Sequence, residues 1–144
     1  MLDAEAGLSR LIVSTYQAVS GAGLAGGEEL LEQATAAVGQ DAIGLVQNGS
    51  AVTMPAAVKF PKQIAFNVVP QIDKFMDNGY TKEEMKMLWE TQKIMGDSSI
   101  RVNATTVRVP VFFGHSEAVN IETRRKLTAA EARKLLSKAP GVEV

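Results

Sequence analysis

Apolar residues recur along the chain with two periods, one typical of strands and one typical of helices. The β-branched and aromatic stretch RLIVSTYQ predicts a strand over 10–17. An apolar stripe predicts an amphipathic helix over 28–38. The stripe consists of Leu30, Leu31, Ala34, Ala37 and Val38. Between these two elements, the glycines of 21–27 predict a flexible connection.

The middle of the chain carries weaker signals. Residues 39–62 show little periodicity, and Asn48-Gly49 predicts a turn within them. The apolar stretch QIAFNVVPQI predicts a strand over 63–72, which ends near Pro70. The stretch DNGY predicts a turn over 77–80.

Two later helices are predicted by capping boxes, in which a threonine and a glutamate satisfy each other's free backbone donors. Thr81 and Glu84 predict a helix that begins at Thr81 and stops at Gly96. Thr128 and Glu131 predict a last helix near the end of the sequence.

The long β-rich segment 101–125 lies between these two helices, and Pro110 and Gly114 are expected to break it. The predicted order of elements is therefore β-α-β-α-β-β-α. This order indicates an α+β fold with a mixed, mostly antiparallel sheet and helices packed on one face.

The composition is that of an ordinary soluble domain. The 144 residues are 46% hydrophobic and 22% charged with a net charge of -1, so neither a nucleic-acid surface nor a membrane helix is expected. The start, MLDAEAGLSR, lacks the basic and apolar regions of a signal peptide, so we expect a cytoplasmic protein. Cysteine is absent, which excludes disulfides and thiolate chemistry within the chain. With a single histidine, His115, we expect no metal site.

The stretch GAGLAG, residues 21–26, is a literal G-x-G-x-x-G, the pattern of dinucleotide-binding turns. Its context does not fit, because the first glycine should follow an apolar strand end directly, and the polar residues Tyr16, Gln17 and Ser20 intervene between the apolar part of the strand and Gly21. Asp41 also precedes the apolar stretch that it should follow. We expect these glycines to let the backbone approach a packed strand or a ligand closely.

Five polar residues could carry chemistry. Gln17 ends a strand, and Glu83 and Lys86 share one face of a helix. Each of these residues also has an ordinary structural interpretation. Gln17 would then bond to the backbone, Glu83 and Lys86 would form a surface ion pair, and the single His115 would be a structural residue. Arg108 is different because it lies among valines, where a permanent charge must reach a partner or a wet cleft. Its forked donors match a carboxylate.

Arg108 and His115 would face opposite sides of a regular strand, because side chains alternate along it. They can share one site only if Pro110 or Gly114 introduces a bulge or a turn between them. Both breakers stand at the required place in the sequence.

Five stretches, in order, resemble the catalytic and dimerisation half of the aspartate-semialdehyde dehydrogenases: VSTYQAVSGAG, IAFNVVPQID, GYTKEEMK, ETQKIMG and VRVPVFFGHSEAVNIET. The resemblance covers 10–144 and leaves 1–9 as a non-matching segment. It implies a fold like the C-terminal domain of glyceraldehyde-3-phosphate dehydrogenase. It also implies NADPH-dependent reductive dephosphorylation of β-aspartyl phosphate to aspartate semialdehyde, a step in the biosynthesis of lysine, threonine, methionine and isoleucine.

The resemblance implies a role for each candidate residue. His115 would be the general acid and base, and Gln17 would orient the substrate carbonyl. Arg108 would bind the α-carboxylate of the substrate and Glu83 its amino group. Lys86 would belong to the phosphate site.

The same resemblance implies that Ser20 and Gly21 line the nicotinamide side of an NADP pocket. The nucleophilic cysteine of the family, its main NADP-binding domain and its C-terminal helix have no counterpart in this sequence. We therefore expect one part of a homodimeric dehydrogenase, with its sheet shared or stacked across the dimer and with no activity by itself. The alternative is a free-standing dimerisation or binding module that has lost the chemistry.

Overall fold

A three-stranded mixed sheet organises the chain, whose computed structural model describes residues 1–144. The strands are β1 (Leu8–Gln17), β2 (Arg101–Arg108) and β3 (Ser116–Thr123), in the spatial order β2-β1-β3. β1 pairs with β2 in parallel and with β3 antiparallel. The strand predicted at 10–17 is confirmed, and so is the break between β2 and β3.

One face of the sheet is buried and the other is exposed. Side chains alternate along each strand, so every second residue belongs to the same face. The buried residues of β1 and β2 toward their carboxyl ends are Val13, Thr15, Gln17, Ala104, Thr106 and Arg108. Helical residues pack on this face, α3 against β2 above all, which confirms the predicted α+β arrangement with helices on one side of a mixed sheet. The sheet is not mostly antiparallel as predicted, because one of its two strand pairs is parallel.

The chain has four α-helices: α1 (Leu2–Ala6), α2 (Leu24–Val38), α3 (Lys82–Met95) and α4 (Ala129–Leu136). Both predicted capping boxes are present, at Thr81 for α3 and at Thr128 for α4. α3 ends at Gly96, whose φ of 67° is left-handed and suits glycine. None of these helices combines the length and the apolar character that a membrane span requires.

The glycine-rich stretch 21–27 was expected to be a flexible connection, and this expectation is wrong. A short 3₁₀ helix spans Val19–Ala22, and α2 already begins at Leu24. Gly26 lies inside α2, where an added Cβ would stand 2.9 Å from the carbonyl oxygen of Val19 and 3.1 Å from the Phe60 ring. Close packing therefore requires the glycine there, and the backbone is ordered around it.

The predicted apolar stripe of α2 is only partly correct. Leu30 and Ala37 are buried, but Leu31 and Val38 are 58% and 81% exposed. Two polar residues, Glu29 and Gln33, are buried instead. The inner face of α2 is rotated toward these polar residues because they hydrogen-bond the backbone of the segment that packs on it.

The strand predicted over 63–72 does not form. Phe66 has a φ of 56°, which breaks an extended conformation, and the chain turns as the Asn67 N–H donates to the Ile64 carbonyl oxygen at 3.2 Å. Only Val69 makes a β-bridge, to Arg108. Several backbone donors of this apolar segment bind side chains instead of a neighbouring strand: the N–H groups of Ile64 and Ala65 donate to Gln33, and that of Val68 donates to Asn67.

The segment that replaces the predicted strand packs on α2 and forms a small core at the carboxyl end of β1. The cluster consists of Val19, Leu30, Phe60, Ile64, Ala65 and Val69. It fixes both the 3₁₀ helix and the segment around Phe60 beside the end of the sheet.

Candidate active site

The predicted site residues meet at the carboxyl ends of β1 and β2. Gln17 and Arg108 are register partners in the parallel pair, so both side chains leave the same edge on the same face. The Val109 N–H donates to the Gln17 carbonyl oxygen at 2.9 Å, which holds the two strand ends together. Crevices at the carboxyl edge of parallel strands commonly bind ligands.

Glu83 links the strand end to α3. The Gln17 amide donates to one oxygen of its carboxylate at 3.2 Å, and the Lys86 ammonium donates to the other at 3.0 Å. The hydrogen bond and the negative charge of Glu83 raise the pKa of Lys86. The capping box fixes the first turn of α3 and thereby places Glu83 over the sheet.

Arg108 is a buried cation with most of its donors free. It is 7% exposed, and its Nη1 donates to the carbonyl oxygen of Ala18 at 2.8 Å. Burial lowers the pKa of the guanidinium, and the charge of Glu83 opposes this shift. Because the guanidinium stays charged in proteins, its other donors form a site for an anion.

His115 is held by the same residue as Arg108. The Ala18 N–H donates to Nδ1 of His115 at 3.3 Å, so the neutral ring carries its proton on Nε2. The break between β2 and β3 makes this possible, and Gly114 within it has a φ of 86°. The condition for Arg108 and His115 to share a site is therefore met.

Gly21 lies against both residues. An added Cβ would stand 3.0 Å from Nη1 of Arg108 and 3.5 Å from Nε2 of His115. The expectation that these glycines permit a close approach is confirmed here and at Gly26. Ser20 is exposed beside them, and its N–H donates to the Phe112 carbonyl oxygen at 3.2 Å.

A cavity of about 330 Å³ opens next to these residues. Of the predicted site residues, it is lined by Gly21, Glu83 and Arg108. The other four, Gln17, Ser20, Lys86 and His115, do not line this cavity.

Sequence reasoning missed three polar residues of the cavity wall: Lys59, Gln71 and Asp73. Gln71 and Asp73 lie within the IAFNVVPQID stretch, and Lys59 precedes it by five residues. The structure places all three outside regular helices and strands, so membership of that stretch was the one signal that could have singled out Gln71 and Asp73, and Lys59 had none. No group of three or more acidic, histidine or cysteine side chains could hold a metal ion.

The arrangement can bind an amino acid by both charged ends. A guanidinium suits a carboxylate, and the half-buried carboxylate of Glu83 suits an ammonium group. An imidazole with its proton on Nε2 can transfer that proton to a nearby oxygen. These chemical properties point to a small zwitterionic ligand.

The comparison with protein families decides the assignment, because the model described as "Semialdehyde dehydrogenase, dimerisation domain" matches residues 1–144. The chain belongs to this family. The aspartate-semialdehyde dehydrogenase of Legionella pneumophila is 55% identical over 139 residues, which cover 96% of this chain and 36% of that protein. The chain thus spans less than two fifths of the length of this relative.

Solved structures of semialdehyde dehydrogenases agree with the family. Aspartate semialdehyde dehydrogenase II of Vibrio cholerae, complexed with ASA, matches with a TM-score of 0.84 and 50% identity over 99% of this chain and 39% of that chain. The Candida albicans enzyme, solved with NADP, matches with a TM-score of 0.55 over 96% of this chain and 30% of that chain. Its 21% identity shows a common fold alone.

Proposed function

We propose that this chain is the substrate-binding and dimerisation part of an NADP-dependent aspartate-semialdehyde dehydrogenase. The whole enzyme would convert β-aspartyl phosphate to aspartate semialdehyde. The observation that carries the proposal is the convergence of five predicted residues on the ends of β1 and β2, linked through Glu83 and the Ala18 peptide.

Substrate binding would use the charges of the site. Arg108 would bind the α-carboxylate through the donors that Ala18 leaves free. Glu83 would bind the amino group, and Lys86 would attract the phosphate from its position on the same face of α3. The Vibrio cholerae relative was solved with ASA bound, which supports a substrate of this size.

Proton transfer would belong to His115. The Ala18 N–H fixes the ring through Nδ1 and leaves Nε2 facing the space beside Gly21. A ring held in this way can protonate a developing oxyanion and take the proton back. Gln17 would orient the carbonyl group from the neighbouring strand end.

Ser20 and Gly21 fit the nicotinamide side of the cofactor pocket. Gly21 lacks the Cβ that would fill the space against Arg108 and His115, and Ser20 is exposed beside it. NADP would supply hydride chemistry when bound. The surface of this chain at Ser20 and Gly21 would lie beside its nicotinamide ring. The relative from Candida albicans was solved with NADP.

The replacement His115→Ala in the whole enzyme tests this proposal. We expect kcat in the phosphate-dependent reduction of NADP by aspartate semialdehyde to fall by about 10²–10⁴-fold, because the proton donor is lost. KM should change little. Ser116→Ala, at the neighbouring exposed position, is the matched control and should keep its activity. An unchanged kcat for His115→Ala would contradict the proposed role.

The same assay separates the proposal from a module that lacks chemistry. The chain contains no cysteine, so the isolated residues 1–144 should give no sustained turnover, while the whole protein should be active. An inactive whole protein that still dimerises would favour the non-catalytic module.

The exposed face of the sheet is the surface through which we propose that two copies of the chain dimerise. The alternate residues of β1 on this face include Ile12 and Tyr16, which are 37% and 47% exposed. Small neighbours in register with Ser14, namely Thr105 and Ala118, leave the centre of the face flat. A flat, half-apolar sheet face can stack against a copy of itself around a two-fold axis.

A further inference from the structure

We propose that Lys59 binds an anionic group of the substrate and that Glu29 of α2 is the residue that positions it. This inference rests on the proposed function and adds a second cation to the substrate cavity. Neither residue was singled out by the sequence or by the roles assigned above.

Lys59 lines the same cavity as Arg108 and Glu83. It takes part in none of the ion pairs of the chain, whereas Lys86 is paired with Glu83 at 3.0 Å. A lysine side chain without a carboxylate partner on a cavity wall is available to an anionic ligand. The cavity therefore offers one free lysine and one arginine with free donors.

The backbone at Lys59 is held by a buried carboxylate. Glu29 is 8% exposed, and its Oε2 accepts the N–H of Val58 at 3.0 Å and the N–H of Lys59 at 2.5 Å. Its other oxygen accepts the side-chain amide of Gln33 at 3.4 Å. Burying a carboxylate costs free energy unless it is well hydrogen-bonded. Two of the three hydrogen bonds that Glu29 accepts come from the backbone of the segment that carries Lys59.

The same segment is fixed a second time, one turn further along α2. Oε1 of Gln33 accepts the N–H groups of Ile64 and Ala65 at 3.0 and 3.1 Å. Gln33 is fully buried. Glu29 and Gln33 thus hold the segment 58–65 at both of its ends. Phe60, between these two ends, cannot move away from Gly26 unless these hydrogen bonds break.

The charges of the cavity support this assignment. Its wall carries the cations Lys59 and Arg108 and the anions Glu83 and Asp73. The proposed substrate has one ammonium group and two anionic groups, a carboxylate and a phosphate. Arg108 accounts for the carboxylate. Lys86, the cation proposed above for the phosphate, is paired with Glu83 and does not line the cavity, so Lys59 would complement the phosphate together with Lys86 or share the carboxylate with Arg108.

The test uses the whole enzyme and the variant Lys59→Met, with Lys62→Met as the matched control. Lys62 is an exposed lysine of the same segment that does not line the cavity. We expect Lys59→Met to raise KM about tenfold for aspartate semialdehyde or for phosphate, with kcat changed by less than about twofold. The substrate whose KM rises identifies the anionic group. Lys59→Arg should restore most of the affinity, and the control should match the wild type.

The positioning role of Glu29 is tested by Glu29→Gln alone and combined with Lys59→Met. If Glu29 acts through Lys59, the substitution raises the same KM in the wild-type background and adds nothing in the double variant. An equal rise in both backgrounds would overturn the positioning role. Unchanged KM values for Lys59→Met in an active enzyme would overturn the role of Lys59. A wild type that lacks activity would overturn the proposed function instead.

Discussion

At the scale of single residues, the peptide group of Ala18 joins the two halves of the candidate site. Its carbonyl oxygen accepts from Arg108 and its N–H donates to His115, although these residues come from different sides of a strand break. Ala18 is completely buried, and its bond from Arg108 is buried with it, whereas its bond to the exposed His115 is partly buried. A residue without functional groups in its side chain thereby sets the distance between the proposed carboxylate site and the proposed acid.

The ion pair of Lys86 with Glu83 predicts a pH dependence of stability. The pKa of Lys86 is raised above 10.5 by Glu83, so the stabilisation is fully present below pH 10.5 and is lost as the pH rises through the higher folded-state pKa. Because the lysine side chain is 41% exposed, the effect is at most about 1 kcal/mol.

Urea unfolding of the wild type and of Lys86→Met between pH 7 and 11.5 measures this contribution. The difference in the free energy of unfolding should be constant up to about pH 10 and shrink above 10.5. It should also decrease in high salt. A difference that persists unchanged at pH 11.5 would show that the lysine stabilises through its methylene chain instead of its charge.

At the scale of elements, α2 is a scaffold for the cavity wall. Its inner face carries a glycine, a glutamate and a glutamine beside the aliphatic residues Leu30 and Ala37. The missing side chain of Gly26 leaves room for the 3₁₀ helix and Phe60, and the two polar side chains bind the backbone of 58–65. Close contact and hydrogen bonds therefore position the helix together with apolar burial.

Two adjacent glycines of α2 provide a matched test of this packing. Gly27 has nothing within 4 Å of an added Cβ, so Gly27→Ala should stabilise the protein by about 0.5–1 kcal/mol through helix propensity. Gly26→Ala gains the same propensity but places its Cβ 2.9 Å from the Val19 carbonyl oxygen, so it should destabilise by about 1–3 kcal/mol. Chemical denaturation measures both values. Similar effects of the two substitutions would refute the close packing.

At the scale of the whole molecule, the sheet separates two surfaces for which we propose different roles. The helices and the cavity lie toward its buried face and its carboxyl edge, and the opposite face is exposed along all three strands. A dimer formed through that face leaves both cavities open, because they lie at the edge and not on the face.

Charge placed on the exposed face should separate the dimer. Ala118→Arg puts a long cation at the centre of the face, opposite Ser14, where a second copy would bury it. Ala130→Arg, on the exposed side of α4, is the matched control. Light scattering after size exclusion should give a monomer for the first variant and a dimer for the second. A dimeric Ala118→Arg would exclude this face as the interface.

The sequence by itself determined the elements whose signals are local. Each capping box needs only four consecutive residues, so the starts of α3 and α4 were correctly predicted. The end of β2 and the start of β3 followed from Pro110 and Gly114 for the same reason. Among the candidate residues, Arg108 could be singled out by itself because a cation among valines requires a partner wherever the chain folds. The roles of the other candidates were implied by the family resemblance.

Only the tertiary structure decided the segment 58–72 and the burial of α2. The carboxamide of Gln33 binds a backbone N–H 31 positions away, and such a pairing leaves no periodic trace in either stretch. The Gln33 bonds hold the apolar stretch in an irregular conformation, and the Glu29 bonds hold Lys59 at the cavity wall. No local sequence pattern predicts either arrangement. Local backbone preferences can be predicted from neighbouring residues, whereas side-chain bonds to distant backbone depend on the folded chain.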